Sequence, residues 1–210
     1  MSNKFHEKMF TESVKAAQTH YGTRKNYARI EAHAGPAEFD GLGDLERDFI
    51  ESRDGFYMAT VNEEGQPYIQ FRGGPVGFLK VLDRNTLGYA DFRGNLQYIS
   101  VGNLSVNNKA ALFLMDYVNQ RRLKILVRIE VKDAANAANL IENLRMPDYK
   151  AKVERAMTLR VEAFDWNCPQ HITPRFTVDE IKRIVAPVYE RIDELETENA
   201  RLRGQLKIDL

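Results

Sequence analysis

Residues 56–72 read FYMATVNEEGQPYIQFR, and this stretch decides the fold class. Its two ends, Phe56–Val61 and Pro67–Arg72, are rich in aromatic and β-branched residues, which favour strands. The segment between them, Asn62–Gly65, contains the asparagine and glycine that favour turns. The pattern therefore predicts a β-hairpin.

Short strands continue towards the carboxyl end of the chain. The predicted strands are Phe78–Leu82, Thr86–Ala90, Ala110–Met115, Leu123–Val131 and Leu159–Phe164. The predicted helices are Leu45–Ser52, capped by Asp44, then Asn95–Val101, Ala134–Arg145 and Tyr149–Arg155. Because strands and helices do not alternate regularly, this order favours a small antiparallel barrel over a doubly wound sheet.

The pattern divides the chain into three segments. Residues 1–40 contain helix-like stretches such as Glu7–His20 but lack a continuous apolar stripe, so we predict an N-terminal helical arm. Residues 41–176 contain the predicted strands and form the barrel domain. Residues 177–210 are predicted to form a C-terminal helix.

Composition and charge exclude several classes of function. Hydrophobic residues make up 43% and charged residues 29% of the 210 residues, which is typical of a globular protein. Because 30 basic residues balance 30 acidic ones, no overall field attracts nucleic acid or a membrane, and neither is an expected partner. No run approaches the roughly 18 apolar residues of a membrane span, and the N-terminus lacks an apolar signal core, so we expect a cytoplasmic protein.

The single cysteine does not indicate a metal site. Cys168 and His171 have half of a metal-ligand spacing, but the other histidines are scattered and no second pair completes a zinc site. Nucleophilic catalysis by Cys168 would need a base held against its sulfur. We therefore expect a packed cysteine and no bound metal.

A glycine-rich segment joins two of the predicted strands. Gly73–Gly77 is followed neither by the residues of a P-loop nor by a helix, so the common nucleotide-binding fingerprints are absent. Two interpretations stay open. The segment is a plain strand connection, or it lets the backbone pass close to a flat ligand that a side chain would exclude.

Basic and polar residues near the strand ends predict an anion site. Gln70, Arg72 and Lys80 lie on predicted strands, and Tyr89–Asn95 leads from a strand into a predicted helix. A helix N-terminus beside Arg93 supplies both backbone N–H groups and a cation, the two kinds of donor that a phosphate needs.

Two further segments contain site candidates. Arg121 and Arg122 precede a predicted strand, where they either add positive charge to a ligand site or form a solvated strand edge. Trp166–Phe176 packs one tryptophan, one histidine and one arginine between prolines that restrict the backbone. Such rigidity suits the wall of a site, and it also suits an ordinary proline-rich connection.

The runs Phe56–Val131 and Trp166–Phe176 resemble the pyridoxamine 5'-phosphate oxidase-like, FMN-binding split-barrel proteins. The resemblance implies a mainly β fold with helices (α+β), an antiparallel split β-barrel of the FMN-binding type. It also implies a homodimer that builds the flavin site across a two-fold axis. The C-terminal Trp-Arg-Leu and Arg-x-His signatures of true pyridoxamine phosphate oxidases are absent, so vitamin B6 oxidation is not implied.

The resemblance also implies which residues contact FMN. Arg93 and Lys80 are expected to contact the phosphate, whereas Arg122 or Arg175 is expected to face the flavin ring. Together with Gln70 from the strand pattern, the expected cofactor contacts are Gln70, Arg72, Lys80, Tyr89, Ala90, Arg93, Asn95, Arg122, Trp166, His171 and Arg175.

Two functions are compatible with this reading. The first is an FMN-dependent oxidoreductase acting on an unidentified small molecule, in which water or His171 supplies protons and no catalytic residue is assigned. The second is a binding or sensing protein without turnover, which holds FMN or the haem or deazaflavin that other relatives of this fold bind.

The C-terminal segment is predicted to pair with a second copy of itself. Thr177–Glu180 is a capping box that begins a helix, and Pro187 either kinks this helix or begins a second one. The heptad positions of a coiled coil are occupied by Val188, Ile192, Leu195, Asn199, Leu202 and Leu206. The alternative is an amphipathic helix packed on its own barrel.

Overall fold

The computed structural model describes residues 3–33, 41–166 and 169–208. The helices of these residues are α1 (Asn3–Met9), α2 (Glu12–His20), α3 (Arg24–His33), α4 (Asp44–Glu51), α5 (Ile99–Val106), α6 (Ala138–Leu144) and α7 (Val178–Ile208), with a 3-10 turn at Ala134–Asn136. The strands are β1 (Gly55–Val61), β2 (Pro67–Gly73), β3 (Lys80–Asp83), β4 (Thr86–Phe92), β5 (Lys109–Asp116), β6 (Arg121–Asp133) and β7 (Val153–Trp166).

The strands form one antiparallel sheet in the order β2-β1-β5-β6-β7-β4-β3. Both predicted hairpins are confirmed, β1 with β2 and β3 with β4. Among the described strands, the edge strands β2 and β3 are not paired with each other. The sheet is therefore open, as a split barrel requires, and the predicted antiparallel α+β architecture is confirmed.

The core forms where the sheet folds over on itself. The rings of Phe56 on β1 and Tyr89 on β4 lie 5.5 Å apart, and Phe78 packs against both. Because β1 and β4 are far apart in the strand order, this contact brings the two halves of the sheet together. Alternate residues of β5 and β6 complete the buried interior, as the period of a strand predicts.

Helix α4 packs against the barrel through Phe49 and Ile50, both buried. The prediction that Asp44 caps this helix is wrong by one residue. Gly43 is the N-cap, and Glu46 Oε2 accepts its backbone N–H at 3.1 Å. Asp44 instead lies in the first turn, where the positive end of the helix dipole stabilises its carboxylate.

The helix predicted at Asn95–Val101 begins later, at Ile99. Leu96 and Tyr98 have φ values of 64° and 53°, which no right-handed helix allows. Asn95 stabilises the loop because its Oδ1 accepts the backbone N–H of Gln97 at 3.2 Å.

The helix predicted at Tyr149–Arg155 is wrong, because its end belongs to β7. This strand pairs with β6 on one side and β4 on the other, so both neighbours satisfy its backbone groups. The helix predicted at Ala134–Arg145 is interrupted at Ala137, and its second half, α6, buries Leu144 against Ala90 and Ala156 on the outer face of the sheet.

The described residues form two compact units. One contains those up to Asp116 and those from Gln120 to Gln170, so the N-terminal helices belong with the sheet. The other contains Tyr117–Asn119 and the residues from His171 on. The first unit includes α1, which packs on β7 and buries Phe5 and His6.

The C-terminal helix α7 begins at the predicted capping box. The Glu180 N–H donates to Thr177 Oγ1 at 3.2 Å, and the Thr177 N–H donates to Glu180 Oε2 at 2.7 Å. Pro187 lies within this single helix, so the alternative of a second helix beginning there is wrong. No helix within the described ranges is long and apolar enough to cross a membrane.

The burial of His6 predicts a pH dependence of stability. Burial lowers the pKa of His6 from its ordinary value of 6.5, although the carboxylates Asp165 and Glu31 act in the opposite sense. The unfolded chain therefore takes up the proton first, so this contribution is present above pH 6.5 and is lost as the pH falls through the lower folded-state pKa. The free energy of unfolding in urea should fall on acidification by at most about 1.4 kcal/mol per pH unit from this proton.

The variant His6→Gln should lack this component of the pH dependence. His20→Gln, which removes an exposed histidine from α2, serves as the control and should keep it. Parallel curves of unfolding free energy against pH for the natural chain and His6→Gln would contradict the assignment.

Candidate functional site

A buried carboxylate lies between two arginines at one end of the barrel. Asp91, on β4, is 2% exposed. Its Oδ2 accepts from Arg155 Nε at 2.8 Å, and its Oδ1 lies 3.3 Å from Nη1 of Arg72. Charge-assisted contacts of this kind are about twice as strong as neutral hydrogen bonds, and breaking one leaves a buried charge without compensation.

The fold brings these three residues together from distant strands. Arg72 lies on β2, at one edge of the sheet, whereas Asp91 and Arg155 lie opposite each other on β4 and β7. Arg72 points to the inner face, because its strand partner is the buried Phe56. The ion pair between Arg72 and Asp91 therefore bridges the opening of the sheet.

A small crevice opens beside this ion pair. Its volume is about 30 Å³, room for roughly two water molecules. Its lining consists of Gln70, Arg72, Phe92, Gly94, Asn95, Leu96, Tyr98, Ile99, Ser100, Val101 and Arg155. The left-handed backbone of Leu96 and Tyr98 shapes one wall, and such strain is concentrated at functional sites.

The crevice presents donors suited to an anion. Arg72 Nε is buried and has no hydrogen-bond partner among the described residues. The first turn of α5 lines the crevice, and its N-cap Tyr98 makes no side-chain cap hydrogen bond, which leaves N–H groups of this turn available. Arg72, Arg93 and Arg155 carry +3 and Asp91 and Glu154 carry −2, so the cluster has an excess of +1.

Residues 42–166, more than half of the chain, match the sequence model of the pyridoxamine 5'-phosphate oxidase family. The chain belongs to this family. No curated protein matches the sequence.

Several solved structures are similar to this chain at low identity. HupZ of Group A Streptococcus is 16% identical over 64% of this chain and 99% of that one, with a TM-score of 0.45. A protein related to general stress protein 26, of the pyridoxinephosphate oxidase family, from Clostridium acetobutylicum is 19% identical over 65% and 94%, with a TM-score of 0.44. An FMN-binding protein from Syntrophomonas wolfei is 14% identical over 71% and 97%, with a TM-score of 0.41.

Some of the predicted contacts of this family member come together. Gln70, Arg72 and Asn95 all line the crevice. Arg93 lies at its margin, half exposed, and its Nε donates to Glu154 Oε1 at 2.6 Å. This hydrogen bond raises the pKa of Arg93 and lowers the pKa of Glu154, so both groups stay ionised.

Three predicted contacts have structural partners elsewhere. The Lys80 Nζ donates to the backbone oxygen of Asn143 at 2.8 Å and so satisfies a carbonyl at the end of α6. Tyr89 is 1% exposed in the barrel core, where burial raises the pKa of its phenol. Ala90 faces the opposite side of β4 and packs against Leu144. None of the three lines the crevice.

Trp166 and Arg122 also lie apart from the crevice. Trp166, at the far end of β7 from Arg155, donates to Glu46 Oε1 at 2.8 Å and packs on Phe49. Arg122 lies on the outer face of β6, because its neighbour Leu123 points inward and is fully buried. The Arg122 Nε is buried without a hydrogen-bond partner among the described residues.

The last two predicted contacts lie beyond the family match and in the second compact unit. His171 has a left-handed φ of 64°, and the guanidinium of Arg175 lies 4.9 Å from the ring centre of Tyr117. The predicted packing of Cys168 falls outside the described residues. A role for His171 and Arg175 at the cofactor stays a prediction.

Two residues at the crevice, Asp91 and Arg155, are not among the contacts predicted from the sequence. Arg155 stood at the end of the helix wrongly predicted at Tyr149–Arg155, so its pairing with β4 was not foreseen. Ser100 stands in the first turn of α5, where its Oγ lies 3.3 Å from Gln70 Oε1. The charge of Asp91 at the end of an apolar strand was the one available signal.

The segment Gly73–Gly77 has a structural explanation. A side chain at Gly74 would meet Phe78 at 2.8 Å, and Gly77 has a φ of 80°. These constraints favour the interpretation as a strand connection, since the chain's own packing already requires glycine. Within the described parts of the chain, no group of three or more His, Cys, Asp or Glu side chains is placed to hold a metal.

The buried ion pair predicts a large effect of removing its carboxylate. Asp91→Asn keeps the shape but removes the counter-charge of Arg72 and one of the two carboxylates that Arg155 contacts, so the free energy of unfolding should fall by about 3–5 kcal/mol. Glu142→Gln, which breaks an exposed ion pair with Arg145, is the control and should cost about 0–1 kcal/mol. Urea titrations measure both, and equal losses would show that Asp91 does not hold the barrel together.

Proposed function

We propose that this protein binds FMN and is an oxidoreductase acting on a small molecule. The crevice beside Arg72 carries the proposal, because it combines an unsatisfied guanidinium N–H with the first turn of α5. A phosphate group is recognised by these donors, the N–H groups of a helix start and an arginine. Membership of a family named for its oxidases supports the same conclusion.

The crevice could receive only the small end of such a cofactor. Its volume of about 30 Å³ holds roughly two water molecules, so the phosphate would bind across its mouth, near Arg72, Asn95 and Ser100, with the flavin ring outside. The charge excess of the cluster is small because Asp91 offsets part of it. The proposed specificity would therefore depend on hydrogen bonds from N–H and hydroxyl groups as well as on net charge.

The position of Arg122 supports a site shared by two protomers. Arg122 and the crevice lie on opposite faces of the sheet, so one protomer does not present both to a single flavin. The same outer face exposes Tyr57, Ile69 and Phe71, with exposed fractions of 37%, 63% and 55%. Contiguous apolar patches commonly mark protein interfaces. We therefore propose that this face joins two barrels in a homodimer.

The residues of this chain would act by binding and orientation. FMN, when bound, supplies two-electron redox chemistry. The hydrogen bond from Arg93 lowers the pKa of Glu154, and burial raises the pKa of Tyr89 and keeps that phenol neutral, so neither group would exchange protons with a substrate. Protons would come from water, and no residue is assigned a catalytic role.

The phosphate site predicts a selective loss of FMN affinity. Arg93→Ala combined with Asn95→Ala removes a cation and an amide at the crevice without disturbing the buried Asp91. The FMN dissociation constant should rise by roughly 10- to 100-fold, as expected for about 1.5–3 kcal/mol of charge-assisted hydrogen bonding. Arg84→Ala, in the exposed turn between β3 and β4, removes an equal charge and should have little effect.

Flavin fluorescence quenching gives the dissociation constants, and the absorbance spectrum of the purified protein identifies the bound cofactor. Equal constants for the double variant and Arg84→Ala would refute the phosphate site. A protein that neither contains nor takes up FMN would refute flavin binding. Bound FMN that NADH, NADPH and candidate substrates fail to reduce would instead favour a binding or sensing protein without turnover.

The barrel interface predicts an oligomeric state that does not depend on the C-terminal helix. A chain ending at residue 180 should remain a dimer in sedimentation velocity experiments. Adding Phe71→Glu to this shorter chain should yield monomers, because a charge would be buried in the proposed interface. Val76→Glu, at an exposed apolar residue of the β2–β3 connection, is the control and should leave the dimer intact. A monomeric 1–180 chain with tight FMN binding would contradict the shared site.

A further inference from the structure

The continuity of α7 extends the predicted seam along the whole helix. Since the helix runs unbroken from Val178 to Ile208, the heptad spacing continues on the N-terminal side of Pro187. The a positions are Val178, Val185, Ile192, Asn199 and Leu206, and the d positions are Ile181, Val188, Leu195 and Leu202. Pro187 occupies a c position, which faces away from such a seam.

The seam is apolar and lies open in the single chain. Ile192, Leu195 and Leu202 have exposed fractions of 43%, 44% and 44%, and Val188 and Leu206 are more exposed still. Exposing large hydrophobic side chains in one continuous stripe is unfavourable, and burying them would stabilise the protein by roughly 25 cal/mol for each Å² of apolar surface. The stripe is therefore an interaction surface.

We propose that the α7 helices of two copies of this chain pair along this seam as a parallel, in-register coiled coil. The charges flanking the seam identify a second copy as the partner. Arg191 at g faces Glu196 at e of the partner helix, and Glu198 at g faces Arg203 at e. Each pair contributes little by itself but disfavours other registers.

Asn199 fits the same arrangement. An asparagine at an a position would leave a buried amide without a partner on an apolar surface, whereas in a parallel dimer it meets its own copy. This pairing fixes the register at some cost in stability. In an antiparallel pair, a positions face d positions, so each Asn199 would instead lie opposite an apolar side chain.

The residue types in the C-terminal part of the seam also favour two strands. Ile192 is a β-branched residue at a, and Leu195 and Leu202 are leucines at d, the distribution typical of parallel dimers. Arg191 now pairs with Glu194 of its own helix at 2.8 Å, but both side chains are about two-thirds exposed. An exposed pair of this kind is weak enough to be replaced by the partner's Glu196.

Disulfide trapping in the full-length chain tests the proposal. Cys168→Ser removes the only natural cysteine, and Ile192→Cys and Asn199→Cys are then introduced separately at two a positions. Thr197→Cys, on the solvent-facing side of the same helix, is the matched control. Under mild air oxidation both a-position variants should form covalent dimers at least about tenfold faster than the control, because their sulfurs are held at a high effective concentration.

Each outcome decides the proposal. Rapid crosslinking at both a positions supports the parallel register, because an antiparallel pair brings identical residues together at one level only. Crosslinking at one of the two positions, or at neither, overturns it, as do equal rates at Asn199→Cys and Thr197→Cys. The FMN content of all variants should be unchanged, so failure of the coiled coil is distinguishable from failure of the flavin site.

Discussion

The barrel depends on a carboxylate that is almost completely buried between two arginines. Asp91 receives hydrogen bonds or ion pairs from Arg155 on the adjacent strand and from Arg72 on the opposite edge of the sheet. No backbone pairing between the described edge strands closes this sheet, so the Arg72 contact joins the edge strand β2 to β4, two strands that the backbone pairing leaves apart. The aromatic contact of Phe56 with Tyr89 brings the same two halves together deeper in the core.

The same ion pair explains how structure and proposed function are linked. Removing charged groups from water is costly, and a protein retains them in a core only when they are paired. Here the pairing is incomplete, because one N–H of Arg72 has no partner among the described residues. The loop before α5 has left-handed backbone conformations at Leu96 and Tyr98. The helix therefore begins only at Ile99, where its first turn lines the crevice. Unsatisfied donors and strained backbone in one place are expected where a ligand binds.

The outer face of the sheet and α7 are the two proposed association surfaces. The outer face presents the aromatic pair of Tyr57 and Phe71 and also Arg122, whereas α7 presents a heptad seam with complementary charges. The first surface would complete a flavin site from two protomers. The second would fix the register of the two C-terminal helices and needs no cofactor. Each surface would pair with its own copy on a second chain, as an isologous two-fold interface requires.

Several local structural elements of this protein follow from the sequence alone. The hairpin at 56–72 follows from strand-forming residues around a turn, and the start of α7 follows from Thr177 and Glu180, three residues apart. Such features depend on neighbours within a few positions, so their residues are sufficient to predict them. Gln70, Arg72 and Asn95 were likewise predicted from the sequence to share an anion site, because cations and amides near strand ends are typical of one, and the three residues line the same crevice.

Only the tertiary structure decided which of these groups meet. Asp91 and Arg155 are 64 residues apart, and their contact requires the register of β4 on β7. Residues 149–155 have a local preference for helix that was overridden because two neighbouring strands satisfy the backbone of β7. Lys80 and Trp166 have side chains suited to ligand contacts, but they donate hydrogen bonds to a carbonyl at the end of α6 and to Glu46. Which partner a charged or aromatic side chain finds depends on long-range packing, and that is set by the whole sheet.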